Sequence, residues 1–403
     1  MNKKAHAIFC TLILCLISFS CYSIPYDPIA LYLTWQKSPE STMTIRWITD
    51  PSQQDDSIYY QENGNNTWIT NRGSHSQFPQ NKPYLLHTLE LINLTPNTSY
   101  LFRIGTEGIV YKFKTLPQSL TNTEIRFVVG GDMYHDTLED LSTTNRQAAK
   151  THPQFVLIGG DIAYASGKGF FNRIFGQKFD RWLDWLKAWK KDMITPEGYL
   201  IPMLPVLGNH DVIGGFGQTP TEAPYFYYLF PMPGPQGYNV LDFGNYMSLF
   251  LLDSGHTHPI DGEQTTWLEN ALRSRVHIPH KFALYHVPAY PSFRPFANKF
   301  CTSVRTNWVP LFDQYSLTAS FENHDHDYKR SHRLRHNQID DTGVLYLGDG
   351  AWGVDKPRNN KDKRWYVNKS LSSRHFIQVV VQSDKRHITA IAPDGTILDT
   401  YSW

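Results

Sequence analysis

Cysteine is scarce in this 403-residue chain: there are four, and Cys10, Cys15 and Cys21 fall within the first 21 residues. That leaves Cys301, alone or with Cys21, so no disulfide framework holds the fold and it must rest on hydrophobic cores. Cys301 reads as a small buried residue or an incidental thiol, not a nucleophile. A charge excess is also missing. Against 38 basic side chains stand 37 acidic ones, for a net charge of +1, which removes any global electrostatic case for nucleic acid or an acidic polymer as partner. Long apolar runs are absent as well. The run from Ala7 to Phe19, uncharged and mostly apolar, has 13 residues, too short to span a bilayer, which takes roughly 20. No tandem repeat or low-complexity tract is evident, and 41% apolar residues are too many for a disordered chain.

The short apolar run is informative in its place. Lys3 and Lys4 precede it, and the small residues Ser18, Ser20 and Ser23 follow. This is the pattern of an export signal over residues 1–23, cleaved after Ser20 or Ser23. An uncleaved anchor and lipidation at Cys21 are the other readings, although Ser18 stands where a lipobox prefers Leu. A secreted, periplasmic or cell-surface location follows, with no stable membrane span after cleavage. Sequons at Asn65, Asn93, Asn97 and Asn368 matter only in a glycosylating pathway.

Residues 24–118 read as all-β. Segments rich in β-branched and aromatic residues recur at Ile29–Trp35, Met43–Thr49, Ser57–Gln61, Leu85–Leu91, Ser99–Thr106 and Val110–Thr115, separated by turn clusters. The spacing predicts a small sandwich of immunoglobulin or fibronectin type, with Leu116–Ser119 as the linker. From 119 to 403 the rhythm becomes βαβ. Apolar strands are expected at Ile125–Val129, Phe155–Ile158, Met203–Leu207, Met247–Leu252, Phe282–Tyr285, Leu317–Phe321 and Val344–Leu347, with Phe376–Gln382 and His387–Ile391 closing the chain. Helices are expected over 137–150, 177–193 and 263–272. In the second of these Phe179, Trp182, Leu186, Trp189 and Met193 recur every three or four residues, an amphipathic face that covers a sheet.

What stands at the strand ends carries the chemistry. Gly131-Asp132 follows the first strand and Gly160-Asp161 the second, with Tyr164 one turn on. Gly208-Asn209-His210-Asp211 follows the third, His286 follows Phe282–Tyr285, and Asn323-His324-Asp325-His326 follows Leu317–Phe321. Carboxyl ends of strands in an α/β sheet face one crevice. The order therefore gathers two carboxylates, a phenol, an amide and several imidazoles in one place. Such a set is a poor phosphate cradle and a poor acyl-transfer triad but a good cage for iron, zinc or manganese, in which one carboxylate can bridge two cations.

With these motifs in hand, the chain resembles the calcineurin-like metallophosphoesterases, and more closely the purple acid phosphatases, whose ordered pattern is GD, GDxxY, GNH with an acid, VxxH and GHxH. The resemblance covers nearly all of the mature chain. It implies an α/β (α+β) protein: an amino-terminal fibronectin-like sandwich, then a four-layer αββα catalytic domain. It implies a ferric ion held by Asp132, Tyr164 and His326, a divalent ion (Fe, Zn or Mn) held by Asn209, His286 and His324, and Asp161 bridging the two. The phenolate of Tyr164 would give the purple colour. The activity implied is acid phosphatase hydrolysis of a small-molecule phosphate monoester by metal-bound hydroxide, with His210 assisting the leaving group and Asp211 fixing an imidazole's orientation. The alternatives are a phosphodiesterase of the same superfamily and an exported metal-binding protein without activity.

Two departures from the pattern stand out. Asn323 replaces the usual Gly, which a left-handed Asn can tolerate. A literal Gly255-His256-Thr257-His258 also occurs, but it precedes His286, whereas the last motif of the family follows it. His256 and His258 are therefore expected to be loop residues. Where plant relatives place substrate-binding histidines, the segment from Val287 to Cys301 has none, so Arg294 is the candidate phosphate clamp.

Overall fold

A computed structural model describes residues 26–121, 123–166, 176–232, 236–359 and 363–403. The proposed signal over residues 1–23 lies outside the described residues.

The amino-terminal part is a sandwich of two four-stranded antiparallel sheets. One has the order Ala30–Thr34, Met43–Thr49, Leu85–Leu91, Ser74–Gln77, and the other Ile69–Arg72, Ser57–Glu62, Ser99–Ile104, Tyr111–Lys114. Alternation explains the better-marked strands: in Ser99–Ile104 every second residue, Tyr100, Phe102 and Ile104, is buried, the period of a half-buried strand. Ile69–Arg72 and Ser74–Gln77 escaped the sequence reading because they are largely exposed and carry no apolar face.

Two further sheets stack face to face. The first runs Met203–Pro205, Phe155–Ile158, Ile125–Gly130, Phe376–Gln382, Lys385–Ile391, Ile397–Ser402, and its first three strands are parallel. The second has seven strands, with Met247–Leu251, His280–Leu284, Ala319–Phe321 and Leu345–Gly348 parallel in sequence order. Phe127 stacks on Phe155 at 4.9 Å and meets Phe282 and Phe321 of the other sheet edge-on at 5.7 and 6.1 Å. Each such buried ring contributes roughly 1.5–3 kcal/mol. The helices Leu138–Ala149 and Phe179–Asp192 cover the first sheet, and Glu263–Arg273, Lys299–Asn307 and Val309–Gln314 cover the second. The result is the four-layer αββα architecture. Phe179–Asp192 buries Phe179, Trp182, Leu186 and Trp189 on one face, with Lys190 and Lys191 in its last turn, where cations favour the helix dipole.

In the segment expected as a linker, Leu116–Ser119, Gln118 and Ser119 are exposed, while Leu116, with Leu120 just beyond, is buried in a core shared with both parts of the chain. Beyond it, Tyr32 donates to the Leu229 carbonyl (2.6 Å) and Thr34 to that of Met203 (2.8 Å), so the sandwich is fastened to the catalytic layers. Cys301 is buried and unpaired by any disulfide, and burial pushes its thiol up to about 12, which keeps it inert.

Candidate metal centre

The parallel strands of both stacked sheets end at one crevice, and the motif residues sit on the loops that leave them. Five of these residues have left-handed backbones: Asp132 (φ 57°), Asp161 (51°), Tyr164 (50°), His324 (77°) and His326 (62°). Strain of this kind persists only where surrounding structure enforces it and gathers at functional sites. Here the enforcement is visible. The backbone N–H groups of Asp132, Met133 and Tyr134 donate to the carbonyls of Gly160, Asp161 and Ile162 at 3.0 Å each. Arg181 then pins both loops, donating from Nε to the Ala163 carbonyl (2.7 Å) and from Nη2 to that of Tyr134. Its guanidinium lies 3.8 Å over the Tyr134 ring.

The structure brings seven side chains together. Tyr164 Oη lies 2.9 Å from Asp132 Oδ1 and 3.2 Å from His326 Nε2, and that nitrogen is 2.8 Å from Asp132 Oδ1. On the other side His286 Nε2 lies 3.0 Å from His324 Nδ1, 3.2 Å from Asn209 Oδ1 and 3.4 Å from Asp161 Oδ2. Asp161 belongs to both groups. With His286 and His324 it forms one set of ligand atoms mutually within 4.8 Å, and with Asp132 and His326 another.

The donor set fits a pair of cations. His286 Nδ1 is 2.8 Å from the Gly159 carbonyl, which only accepts, so the proton of a neutral imidazole sits there. Nε2 then offers a lone pair to an amide oxygen, a carboxylate oxygen and another imidazole. Asp161 Oδ2 is buried and, among the described residues, makes no hydrogen bond, a costly state for a carboxylate oxygen without a cation beside it. Without a cation, the cluster balances its own charge. Burial works against charge on both His286 and Asp161, but the Asp161 and Asp132 carboxylates push the His286 imidazole up to about 9, and His286 and His210 in turn hold the Asp161 carboxyl well below the usual range. Burial and the Asp132 charge push the Tyr164 phenol up, so a phenolate requires a strong neighbouring cation.

The remaining expected residues are placed as follows. His210 donates its backbone N–H to Asp161 Oδ1 (2.6 Å), stacks on Tyr164 at 4.6 Å, and keeps 21% of its side chain exposed. Among the described residues the hydrogen bonds of Asp211 run to backbone and not to an imidazole. Its two oxygens accept the backbone N–H groups of Ile162 (2.9 Å) and Gly208 (3.0 Å), tying the second motif loop to the third. Arg294 donates to the His324 carbonyl (2.6 Å) and pairs with Asp325 Oδ1, which fixes the last motif from behind. Asn323 is not left-handed. It puts its amide between the first two motif loops, where Nδ2 donates to the Tyr285 carbonyl at 3.1 Å. The strain falls on His324 and His326 instead.

Two residues at the centre, His135 and Arg358, were not singled out by the sequence reading, and a third, His256, was expected only as a loop residue. His135 packs edge-on against Tyr164 (4.8 Å) and His326 (5.0 Å). Its one signal was its position three residues after Asp132. His256 does lie on a loop, but it is buried behind His286 with ring centroids 5.5 Å apart, and burial lowers its pKa to about 4, so it forms a neutral wall. Arg358 donates its backbone N–H to the His326 carbonyl (2.8 Å) and lays its guanidinium over Phe293 at 5.0 Å. The surrounding charges include Arg294, Asp325, Asp132 and Tyr164.

Comparison with known proteins agrees with this architecture. Residues 125–328 match the calcineurin-like phosphoesterase family, and residues 28–115 match the purple acid phosphatase N-terminal domain. An uncharacterised protein of Mycobacterium tuberculosis is 23% identical over 82% of this chain and 70% of its own length. Purple acid phosphatase 13 of Arabidopsis thaliana is 24% identical over 68% of this chain and 55% of its own length. Among solved structures, purple acid phosphatase PPD1 from yellow lupin (Lupinus luteus) seeds superposes with a TM-score of 0.74 at 16% identity, covering 92% of this chain and 73% of the lupin chain. The fold and the crevice define a calcineurin-like phosphoesterase. Within that superfamily the chain belongs to the purple acid phosphatases.

Proposed function

We propose that the protein is an exported acid phosphatase that hydrolyses small-molecule phosphate monoesters at a dinuclear metal centre. The observation that carries this reading is the meeting of two ligand sets at one carboxylate, Asp161. Asp132, Tyr164 and His326 would hold a ferric ion, and Asn209, His286 and His324 a divalent Fe, Zn or Mn, with Asp161 shared. When bound, such a pair supplies Lewis-acid charge for the phosphoryl oxygens and acidifies water at neutral or acidic pH.

The chain's own residues then have distinct tasks. His210 stands at the open side of the centre with Nε2 3.9 Å from Asp161 Oδ2, where it can hand a proton to the departing alkoxide. Tyr164 keeps that imidazole in place by stacking. Because Arg294 is engaged by Asp325, Arg358 is the better placed guanidinium to receive a phosphate oxygen. His256 and Phe216, 4.8 Å apart, close the rear of the crevice to water.

The test is a comparison of kcat/KM for p-nitrophenyl phosphate and bis(p-nitrophenyl) phosphate across pH 4–8. The reading expects the monoester to be the better substrate, with its maximum below pH 7. Preference for the diester would replace it with a phosphodiesterase of the same superfamily. A fully metal-loaded protein inert toward both would make it a binding protein.

A further inference from the structure

Two of the chain's histidines meet a carboxylate in the amino-terminal sandwich. His75 and His87 are direct cross-strand partners on the antiparallel strands Ser74–Gln77 and Leu85–Leu91, so their side chains share one face. Asp56 stands just before Ser57–Glu62, a strand of the opposite sheet. Its Oδ1 lies 3.0 Å from His75 Nδ1 and 2.7 Å from His87 Nδ1, and its Oδ2 is 3.0 Å from His75 Nδ1. Asp56 and His87 are buried, whereas 28% of the His75 side chain reaches solvent. Trp47 stacks flat on His87 at 4.8 Å and 10°, and Gly73 N–H holds the Asp56 carbonyl at 3.0 Å. The three side chains are fixed from several directions.

A cation suits this cluster. His87 Nε2 is 2.8 Å from Thr49 Oγ1, and the same hydroxyl lies 2.9 Å from the Asp50 carbonyl and 3.2 Å from that of Gln53. Carbonyls only accept, and a hydroxyl has one hydrogen to give. With that hydrogen on a carbonyl, Thr49 accepts from His87 Nε2–H, and the Nδ1 lone pair faces the carboxylate oxygen 2.7 Å away. That is the arrangement of a metal-binding imidazole whose other nitrogen is held by a hydrogen bond.

We infer that Asp56, His75 and His87 form a zinc site that clamps the two sheets of the sandwich together, with its fourth position open to water beside His75. Two imidazole nitrogens and a carboxylate oxygen are a zinc donor set, and ligands bound at tetrahedral zinc lie roughly 3.3 Å from one another. The two contacts of Asp56, 3.0 Å to His75 and 2.7 Å to His87, need to open by only a few tenths of an ångström to reach that spacing, and all three ligand atoms already lie within 4.8 Å of one another. The convergence has the same character as at the catalytic crevice. It lies on other strands and uses none of the same residues, so it stands apart from the proposed phosphatase activity.

The experiment uses the full chain, stripped with chelator, reloaded with Zn²⁺, desalted, and analysed for zinc per chain by mass spectrometry. Wild type is compared with His75→Ala, an exposed position whose loss should leave the fold intact. Asp161→Ala and the double variant Asp161→Ala/His75→Ala are measured beside them. The expected result is one zinc fewer per chain in His75→Ala than in wild type, with monoester turnover unchanged. Asp161→Ala, with its catalytic centre emptied, should keep one zinc that the double variant loses. Equal zinc content with and without His75 in both backgrounds overturns the assignment, whatever the outcome for the catalytic centre.

Discussion

The side-chain amide of Asn323 occupies the space that any side chain at Gly159 would need: a Cβ on Gly159 would stand 1.8 Å from Asn323 Nδ2. Gly131 opens the other side, where a Cβ would meet Asn323 Oδ1 at 2.5 Å. Gly131, directly before Asp132, and Gly159, two residues before Asp161, therefore accommodate the asparagine that stands where the family has glycine. Gly159→Ala should destabilise the protein by about 1–3 kcal/mol through overpacking. Adding Asn323→Gly should recover part of that loss, because the clash disappears with the amide. Urea unfolding of both single variants and the double variant measures the coupling, and strict additivity would contradict the contact.

Asp211 joins the Asp161 loop to the Asn209 loop through two buried backbone donors. Asp211→Ala leaves both N–H groups without a partner, at about 1–3 kcal/mol each. Denaturant unfolding should show a loss of roughly 2–6 kcal/mol, together with weaker metal retention. A variant as stable as wild type would return Asp211 to a role on an imidazole.

His375 supplies a pH dependence remote from the metal ligands in sequence. It is buried, with Nδ1 3.1 Å from the Ser373 carbonyl, and burial depresses its pKa to about 4, against about 6.5 in the unfolded chain. Between those values the unfolded state binds the extra proton and the folded state does not. Stability therefore rises with pH in that window, by up to about 1.4 kcal/mol per unit, and is lost as the pH falls from 6.5 toward 4. His280, also lowered to about 4 by burial, adds to the slope. His375→Gln should flatten the dependence of unfolding free energy on pH between 4 and 6.5, and an unchanged slope would show that His375 titrates normally.

The two guanidiniums near the crevice should separate in kinetics. Arg358→Met should raise KM for a monoester about tenfold, the loss of one charge-assisted hydrogen bond, with stability little changed. Arg294→Met leaves the buried carboxylate of Asp325 without its partner, so its main effect should be on unfolding and metal retention. Steady-state kinetics beside thermal melts distinguish the two, and the opposite pattern would restore Arg294 as the phosphate ligand.

Much of the site was legible because chemistry-bearing residues followed apolar strands in a fixed order. Asp132, Asp161, Asn209, His286 and His324 each close a strand that its own hydrophobicity announces. The roles of Asp211, Arg294 and Asn323 were not legible, since each depends on contacts between loops far apart in sequence. Asp211 reaches Ile162 across 49 residues and Arg294 reaches Asp325 across 31. Val367–Leu371 and Ile397–Ser402 are half exposed, and Asn239–Phe243, though buried at every second residue, is broken by Asp242, so none has a continuous apolar run. The Asp56, His75 and His87 cluster was invisible for a related reason: only the pairing of two sheets brings it together.

The proposed function turns on one carboxylate, Asp161, shared by two metal ions. Quantitative metal analysis of Asp161→Ala decides it, made in a His75→Ala background so that the sandwich contributes no ion. The expected result is two ions per chain with Asp161 present and none retained after substitution, with phosphomonoester turnover lost in step. Two ions and undiminished turnover in Asp161→Ala would rule the shared carboxylate out.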